Sequence, residues 1–203
     1  MARQSFPVVL SAPSCTGKTT LAHLLIDSMS NLVISVSHTT RPARGYERDG
    51  GDYYFVSDAE FDRMIAEKAF LEWAPVHDYR YGSSAEFTSE QLAEKKDVVF
   101  DIDVQGGLQI KKHFQEAVLI FILPPSLEEL EYRLRTRGTD SDQHIKKRLV
   151  AARQEIEVGL QHYDYVINNE KLDRALFDLA SIVRTHRLQG LDRDRIRQKL
   201  LGA

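Results

Sequence analysis

Cysteine and tryptophan are the scarcest residues of the 203-residue chain, which has one of each, Cys15 and Trp73. A single cysteine excludes a disulfide bond within the chain and is typical of a protein from the reducing cytoplasm. The seven histidines and the cysteine show no spacing typical of a zinc site. We therefore expect a cytoplasmic protein that binds no zinc.

The chain also has neither a long apolar segment nor a strong net charge. Its longest apolar run, Ala117 to Leu123, is far shorter than the ~20 residues that span a bilayer. Residues Met1 to Pro7 lack the apolar core of a signal peptide. The net charge of −3 gives no general attraction to nucleic acid or to an anionic membrane. We expect small-molecule substrates, with no nucleic acid, membrane or obligatory protein partner.

Four continuous apolar runs indicate a parallel sheet, and helical patterns separate them. Such runs are typical of strands that are covered on both faces. The fold class predicted is therefore α/β, with a parallel sheet flanked by helices. The four runs are Pro7 to Ser11, Val98 to Ile102, Ala117 to Leu123 and Tyr165 to Ile167.

Residues 37–92 have a different pattern. The connection from Thr39 to Asp52 is rich in Arg, Gly and Asp, and Tyr53 to Val56 predicts a short strand. We predict that 37–92 form a small lobe, with a mixed or antiparallel sheet and a helix. The lobe would be inserted into a core made of residues 1–36 and 93–203.

Helix starts are marked by capping boxes, in which a Ser or Thr is followed three residues later by Glu or Gln. A helix that begins near Ser126 would end at the polar segment Gly138 to Asp142, and a long helix would follow from about Gln143 to His162. A polar break between two helices that carry arginines predicts a helical lid over about 134–150. We expect residues 191–203 to form an exposed basic helix. The capping boxes are Ser57 with Glu60, Thr88 with Gln91, and Ser126 with Glu129.

The segment after the first apolar run matches the spacing of a P-loop and opens a helix that begins at Lys18. Backbone N–H groups and the positive end of the helix dipole would surround the β-phosphate of ATP. Lys18 would contact the β and γ oxygens, and the Thr19 hydroxyl would bind Mg²⁺. We therefore predict ATP binding by Ala12, Pro13, Ser14, Cys15, Thr16, Gly17, Lys18, Thr19 and Thr20.

Two positions of this loop depart from the glycine-rich norm. Ala12 adds only a methyl group, but Cys15 places a side chain where positive φ is unfavourable. The alternative is a chance loop before a helix, and the spacing of Gly17, Lys18 and Thr19 argues against it.

Asp101 and Asp103 end a predicted buried strand, where residues i and i+2 share one face. We predict that both carboxylates point into the cleft beside Thr19 and hold Mg²⁺, directly or through water. The alternative is that each aspartate caps the helix that follows.

The stretch SHTTRPARGYERDGGDYYF from Ser37 to Phe55 resembles the signature of the guanylate kinase family. The resemblance extends from Val8 to about Leu179. It implies a P-loop NTPase core, a GMP-binding lobe and a lid. It also implies a kinase that uses Mg²⁺ and ATP to convert GMP to GDP, and that accepts dGMP. Further matching segments are Glu72–Trp73, Tyr81–Ser83, Asp101–Gly106, Arg137–Thr139, Lys147–Leu149 and Ile167–Asn169.

By this resemblance, Arg41, Arg44 and the hydroxyls of Tyr53 and Tyr81 hold the GMP phosphate. Planar guanidinium groups suit a phosphate that carries almost two charges. Glu72 would accept the N1–H and 2-amino donors of guanine. The alternatives are a solvated loop for the arginines and a surface position for Glu72. The full set assigned to GMP is Ser37, Arg41, Arg44, Tyr53, Glu72, Tyr81, Ser83 and Asp101.

Arg137 and Arg148 match the lid arginines of the family. Cations that arrive when a lid closes stabilise the charge on a transferring phosphoryl group. We expect Lys18, Arg137 and Arg148 to be catalytic. Arg133, which would share a helix face with Arg137, and Asn169, which resembles a residue near the adenine, are expected to bind ATP. The alternative for these arginines is a surface salt-bridge network.

Two other functions stay open at this point. Guanylate-kinase-like domains of scaffold proteins keep the fold without catalysis, although the complete Gly17-Lys18-Thr19 and both lid arginines argue against a binding module. A monophosphate kinase of another specificity is the second, with Glu72 as the discriminating residue.

Overall fold

The structure is a computed structural model that describes residues 4–76, 78–136, 141–189, 191 and 193–202, with the backbone alone for 193–195. These residues form strands and helices that alternate along much of the chain. The strands are β1 Pro7–Ser11, β2 Leu32–Ile34, β3 His38–Thr39, β4 Tyr54–Phe55, β5 Phe70–Val76, β6 Tyr79–Ser84, β7 Asp97–Asp101, β8 Val118–Leu123 and β9 Tyr165–Asn168. The helices are α1 Lys18–Ser28, α2 Asp58–Ala66, α3 Ala85–Ala93, α4 Val104–His113, α5 Leu127–Thr136, α6 Asp142–His162, α7 Leu172–Gln189 and α8 Arg193–Leu201.

Five strands form a parallel sheet in the order β2-β7-β1-β8-β9. The four predicted apolar strands are confirmed as β1, β7, β8 and β9. The predicted α/β class is therefore confirmed. The fifth strand, β2, has only three residues and was not predicted.

Alternate residues of β1 enter two different cores. Val8 and Leu10 lie in a cluster with residues of α1 and α7. Val9 lies in a second cluster, with residues of α4. All three are fully buried. Helices therefore cover both faces of the sheet, which explains why its strands are continuously apolar.

A second sheet has the order β4-β3-β6-β5. β3 pairs with β4 in parallel and with β6 antiparallel, so this sheet is mixed, as expected. The predicted cap of α2 is confirmed, since the Ser57 hydroxyl accepts the Glu60 N–H at 3.1 Å. The predicted cap of α3 is wrong. Ser84 caps this helix by accepting the Phe87 N–H at 3.2 Å, and Thr88 lies inside it.

The two helices of the predicted lid, α5 and α6, share a small apolar cluster. The predicted cap of α5 is confirmed, because the Ser126 hydroxyl accepts the Glu129 N–H at 3.1 Å. Ser141 caps α6. Of the predicted polar break, Gly138 to Asp142, residues 138–140 lie outside the described residues. None of the described helices combines the length and apolarity that a membrane crossing requires.

Candidate active site

Two residues of the loop between β1 and α1 have a positive φ. Cys15 has φ 66° and Gly17 has φ 93°. The Thr16 N–H closes a tight turn on the Pro13 carbonyl at 3.2 Å. Alternation between right- and left-handed residues turns backbone N–H groups to one side, which is how backbone nests bind anions. The predicted conflict at Cys15 is real, since this non-glycine residue has a positive φ.

Two side chains in the first turn of α1 contact one carboxylate on β7. The Lys18 ammonium forms an ion pair with Asp101 and donates to the Ile102 carbonyl at 3.2 Å. The Thr19 hydroxyl donates to Asp101 Oδ2 at 2.6 Å. Parallel pairing aligns Leu10 with Asp101, so the loop and this carboxylate meet at the carboxyl end of the sheet. The other predicted ATP residues of the segment range from buried Ala12 and Pro13 to exposed Thr20.

Asp103 has a different position from Asp101. β7 ends at Asp101, so the expectation that both carboxylates share one face of this strand is wrong. Asp103 caps α4 by accepting the Gly106 N–H at 2.8 Å. One of its oxygens is thus committed to the helix, which is the alternative considered for this residue.

Arg41 lies in an aromatic and acidic environment. Its guanidinium donates to Glu47 at 2.8 Å and lies 5.3 Å from the centre of the Tyr53 ring. Burial would lower the pKa of Arg41, but hydrogen bonds to Glu47 and Tyr81 raise it overall. The rings of Tyr53 and Tyr81 meet edge to face at 5.8 Å. The structure therefore brings three of the four predicted phosphate ligands together.

The fourth predicted phosphate ligand, Arg44, is attached to this group through its backbone. Its N–H donates to the second oxygen of Glu47 at 2.8 Å, while its side chain is exposed. Burial and the nearby Asp101 raise the pKa of Tyr53 to about 12. Tyr53 is therefore a neutral hydroxyl donor at physiological pH, which suits it to a phosphate ligand.

Glu72 is a buried carboxylate, with 4% of its surface exposed. It faces Ser83 across the β5–β6 pair and accepts the Ser83 hydroxyl at 2.6 Å. Burial raises the pKa of Glu72 to about 7, and the charge of Asp103 adds to this effect, whereas the bond from Ser83 opposes it. A methyl group on Gly106 would lie 2.6 Å from the second oxygen. Buried Ser37 completes the predicted base-binding set.

One predicted catalytic arginine on α6 contacts the loop between β1 and α1. Arg148 donates to the Ser14 hydroxyl at 2.8 Å. Arg133 pairs with Glu129, one turn earlier on α5, at 2.8 Å. Asn169 is buried and donates to the Thr16 carbonyl at 2.8 Å. Arg137, also predicted to be catalytic, lies outside the described residues.

Two acidic residues of this region had no role predicted from the sequence. Glu47 bonds both Arg41 and the Arg44 backbone; an acidic residue among three arginines was the available signal. Glu155 lies on α6 with its pKa raised to about 7 by burial and by Asp103. The signal for Glu155 was its position seven residues after Arg148, on the same helix face.

Comparison with known proteins agrees with this geometry. The family model for guanylate kinase matches residues 4–186. The guanylate kinase of Myxococcus xanthus is 50% identical over 195 residues, which cover 96% of this chain and 92% of that protein. That of Anaeromyxobacter dehalogenans is 52% identical over 183 residues, or 90% and 81% of the two chains.

Similarity extends to three dimensions. The crystal structure of guanylate kinase from Anaplasma phagocytophilum matches with a TM-score of 0.81 and 30% identity, and the match covers 100% of this chain and 98% of that one. A matching family model, relatives at about half identity and a shared fold lead to one conclusion. The chain belongs to the guanylate kinase family.

Proposed function

We propose that this protein transfers the γ-phosphoryl group of ATP to GMP and releases ADP and GDP. The observation that carries the proposal is the position of Asp101 between two groups. On one side it contacts Lys18 and Thr19 of the loop and α1. On the other side its charge acts on Tyr53, next to Arg41. The proposed triphosphate and monophosphate sites would therefore adjoin at Asp101.

On the ATP side, the backbone of residues 12–17 would hold the β-phosphate, and Lys18 would neutralise the β and γ oxygens. The ion pair with Asp101 positions the Lys18 ammonium group at the carboxyl end of the sheet. We assign the remaining ATP contacts to Thr20 and Arg133, as predicted from the sequence, whereas Asn169, also predicted to bind ATP, contacts the Thr16 carbonyl of the loop.

The oxygen ligands at this point fit Mg²⁺. The Thr19 hydroxyl and a carboxylate oxygen of Asp101 lie 2.6 Å apart, and hard oxygen ligands together with water and phosphate are what Mg²⁺ prefers. When bound with ATP, Mg²⁺ would neutralise charge on the β and γ oxygens. The weaker assignment of Asp103 to the metal stays a prediction, because one of its oxygens caps α4.

On the GMP side, we assign the phosphate to Arg41, Arg44, Tyr53 and Tyr81. The base would lie against Glu72, whose carboxylate can accept both donors of the guanine edge. Ser83 holds one oxygen of that carboxylate, and buried Ser37 would add a further base contact. None of these assignments involves the ribose 2′ hydroxyl, so we expect dGMP to be an acceptor as well.

Transfer would be direct and in line, from the γ-phosphorus to a phosphate oxygen of GMP. That oxygen is already ionised, so the reaction requires neither a nucleophilic side chain nor a general base. Positioning and neutralisation of charge then provide the rate. Lys18, Arg148 and Arg137 would stabilise the charge of the transition state, and closure of the lid over about 134–150 onto the lobe of 37–92 would exclude water.

The experiment that tests this function compares GMP, AMP, CMP and UMP as acceptors with Mg·ATP, with products separated by chromatography. We expect GDP from GMP, and a kcat/KM for the other three that is lower by several orders of magnitude. Equal use of another monophosphate would contradict the assignment of Glu72 to guanine. Binding of GMP without any turnover would indicate a binding module.

A further inference from the structure

Asn169 joins two parts of the site that lie 153 residues apart in the sequence. Its backbone N–H donates to the Leu123 carbonyl of β8 at 2.9 Å. Its side-chain amide donates to the Thr16 carbonyl of the loop at 2.8 Å. Only 6% of the residue is exposed. A buried amide at the end of β9, the edge strand of the five-stranded sheet, therefore reaches the loop between β1 and α1.

The residues on both sides of Thr16 have a positive φ, which most residues adopt only rarely. Thr16 lies between Cys15, with φ 66°, and Gly17, with φ 93°. Such conformations persist where the surrounding structure holds them. Thr16 is 1% exposed, and a buried carbonyl requires a hydrogen-bond donor. Asn169 provides that donor.

The same contact fixes the direction of a loop N–H group. In a trans peptide the carbonyl of one residue and the N–H of the next point in opposite directions. A bond that holds the Thr16 carbonyl toward Asn169 therefore holds the Gly17 N–H away from Asn169. Gly17 precedes α1 as its N-cap, where N–H groups bind anions.

Gly17 is matched to Asn169 in shape as well. A methyl group on Gly17 would lie 2.7 Å from the amide nitrogen of Asn169, closer than non-bonded atoms approach. The absence of a side chain at Gly17 thus serves two purposes, a positive φ and space for the amide. The loop and the end of β9 form one interlocked unit.

We propose that Asn169 is a positioning residue for the phosphates of ATP, acting through the Thr16 carbonyl and the Gly17 N–H. This inference rests on the proposed function, since it takes the loop as the site of the ATP phosphates. It differs from a contact with the adenine in one measurable way. A residue that acts through the loop affects every nucleoside triphosphate equally, whatever its base.

The test uses Asn169→Leu, because the leucine side chain is similar in size to asparagine and uncharged like it, but has no hydrogen-bond donor. With GMP as acceptor, kcat/KM is measured for ATP and for CTP at low concentrations of the nucleoside triphosphate. The assay temperature is kept well below the unfolding midpoint of the variant. We expect both values to fall by the same factor, roughly tenfold, because a buried carbonyl loses its donor. The KM for GMP should change less than about twofold, since the Arg41 and Glu72 side chains are untouched.

Asn168→Leu is the matched control, because it makes the same change at the adjacent exposed position. It should leave kcat/KM for both ATP and CTP unchanged. Asn169→Ala replaces the leucine variant if the latter does not fold. A loss confined to ATP would overturn the proposal in favour of a base contact. Unchanged kcat/KM values for both ATP and CTP would also overturn it. So would a KM for GMP that rises by the same factor as kcat/KM for ATP falls. Wild-type protein that forms no ADP from ATP and GMP would instead refute the proposed function.

Discussion

The loop proposed to bind ATP and the clamp proposed to bind GMP are built in different ways. The loop of residues 12–17 follows a buried strand and presents backbone groups, and Asn169 contacts it from the end of β9. The clamp, formed by Arg41, Arg44, Tyr53 and Tyr81, presents side chains from a small sheet and an exposed connection.

This difference determines which substitutions each region tolerates. A site made of backbone N–H groups depends on the path of the chain, so Ala12 and Cys15 can replace glycines where the path is preserved. A site made of side chains depends on residue identity. Glu47 holds both a guanidinium and a backbone N–H of the clamp, which shows how much of the clamp geometry depends on individual side chains.

The largest effect is expected for Lys18→Met, which removes the one cation that the loop region adds to its backbone groups. Turnover should fall by roughly 10³-fold or more, since preorganised charge at a transferring phosphoryl group contributes this much. Lys18 pairs with Asp101 but is not part of an apolar cluster, so the unfolding midpoint should change little. Coupled ADP assays and thermal unfolding check both statements. Exposed Lys112, changed to Met, is the control, and near-normal turnover of Lys18→Met would remove Lys18 from the mechanism.

Glu72→Gln should have the next largest effect, and it should act on GMP alone. The amide NH₂ would face a guanine donor, and sites that pair polar groups reject a mismatch by factors up to roughly 10⁴–10⁵. We expect kcat/KM for GMP to fall by roughly 10²–10³-fold, with the affinity for ATP preserved. Titration calorimetry with ADP and with GMP separates the two sites. Equal weakening of both nucleotides would show that Glu72 has a general structural role.

Arg44→Lys tests whether the clamp requires shape as well as charge. Lysine keeps the charge but cannot form the two-pronged contact, so GMP affinity should fall by roughly 10-fold or more, the value of one charged hydrogen bond. The backbone bond from residue 44 to Glu47 is retained. Exposed Arg48, changed to Lys, provides the comparison. An unchanged Kd for GMP would place Arg44 outside the site.

A change of pH should have a smaller effect on the affinity for GMP. The pKa of Glu72 is raised to about 7, and the guanine edge requires the ionised carboxylate, so GMP affinity should fall as the pH falls through 7. Between pH 8 and 6.5 we expect a decrease of roughly fourfold, in a range above the second phosphate pKa of about 6. The Glu72→Gln variant should lack this dependence. The KM for ATP, measured in parallel, serves as the control, because Glu72 is not assigned to the ATP site.

The smallest effect is expected for Cys15→Gly. Glycine adopts the φ of 66° found at this position without strain, and the backbone N–H stays in place. The variant loses packing of the thiol against the apolar cluster shared by α5 and α6, which includes Leu134 and Ile145. We expect kcat/KM for ATP to stay within about threefold, because gain and loss are of similar size. A loss above tenfold would show that the loop depends on a side chain, as the clamp does.

The core was predictable from the sequence because its strands are buried on both faces, and continuous apolar runs such as Ala117 to Leu123 result directly. β5 was not, because its fully covered positions are Glu72 and Ala74, while Trp73 is exposed. No apolar alternation marks such a strand. The cap of α3 was misplaced for a related reason, since Ser84 lies at the end of a strand that was not predicted.

Motif spacing singles out Lys18, Arg41 and Arg44 in the sequence, and their assignment to nucleotide phosphates stays a prediction. Contacts between distant segments were not predictable from the sequence. The bonds from Asn169 to Thr16 and from Arg148 to Ser14 depend on how β9 and α6 are placed around the loop. The commitment of Asp103 to α4 depended on where β7 ends, which hydrophobicity alone did not determine.

We expect phosphoryl transfer to require that both regions are occupied. The decisive measurement is ADP formation from Mg·ATP with and without GMP, with GDP quantified in the same samples. We predict that ADP and GDP form in equal amounts, and that ADP formation without GMP is negligible. Rapid ADP formation without GMP, or GMP binding without ADP formation, would contradict this account.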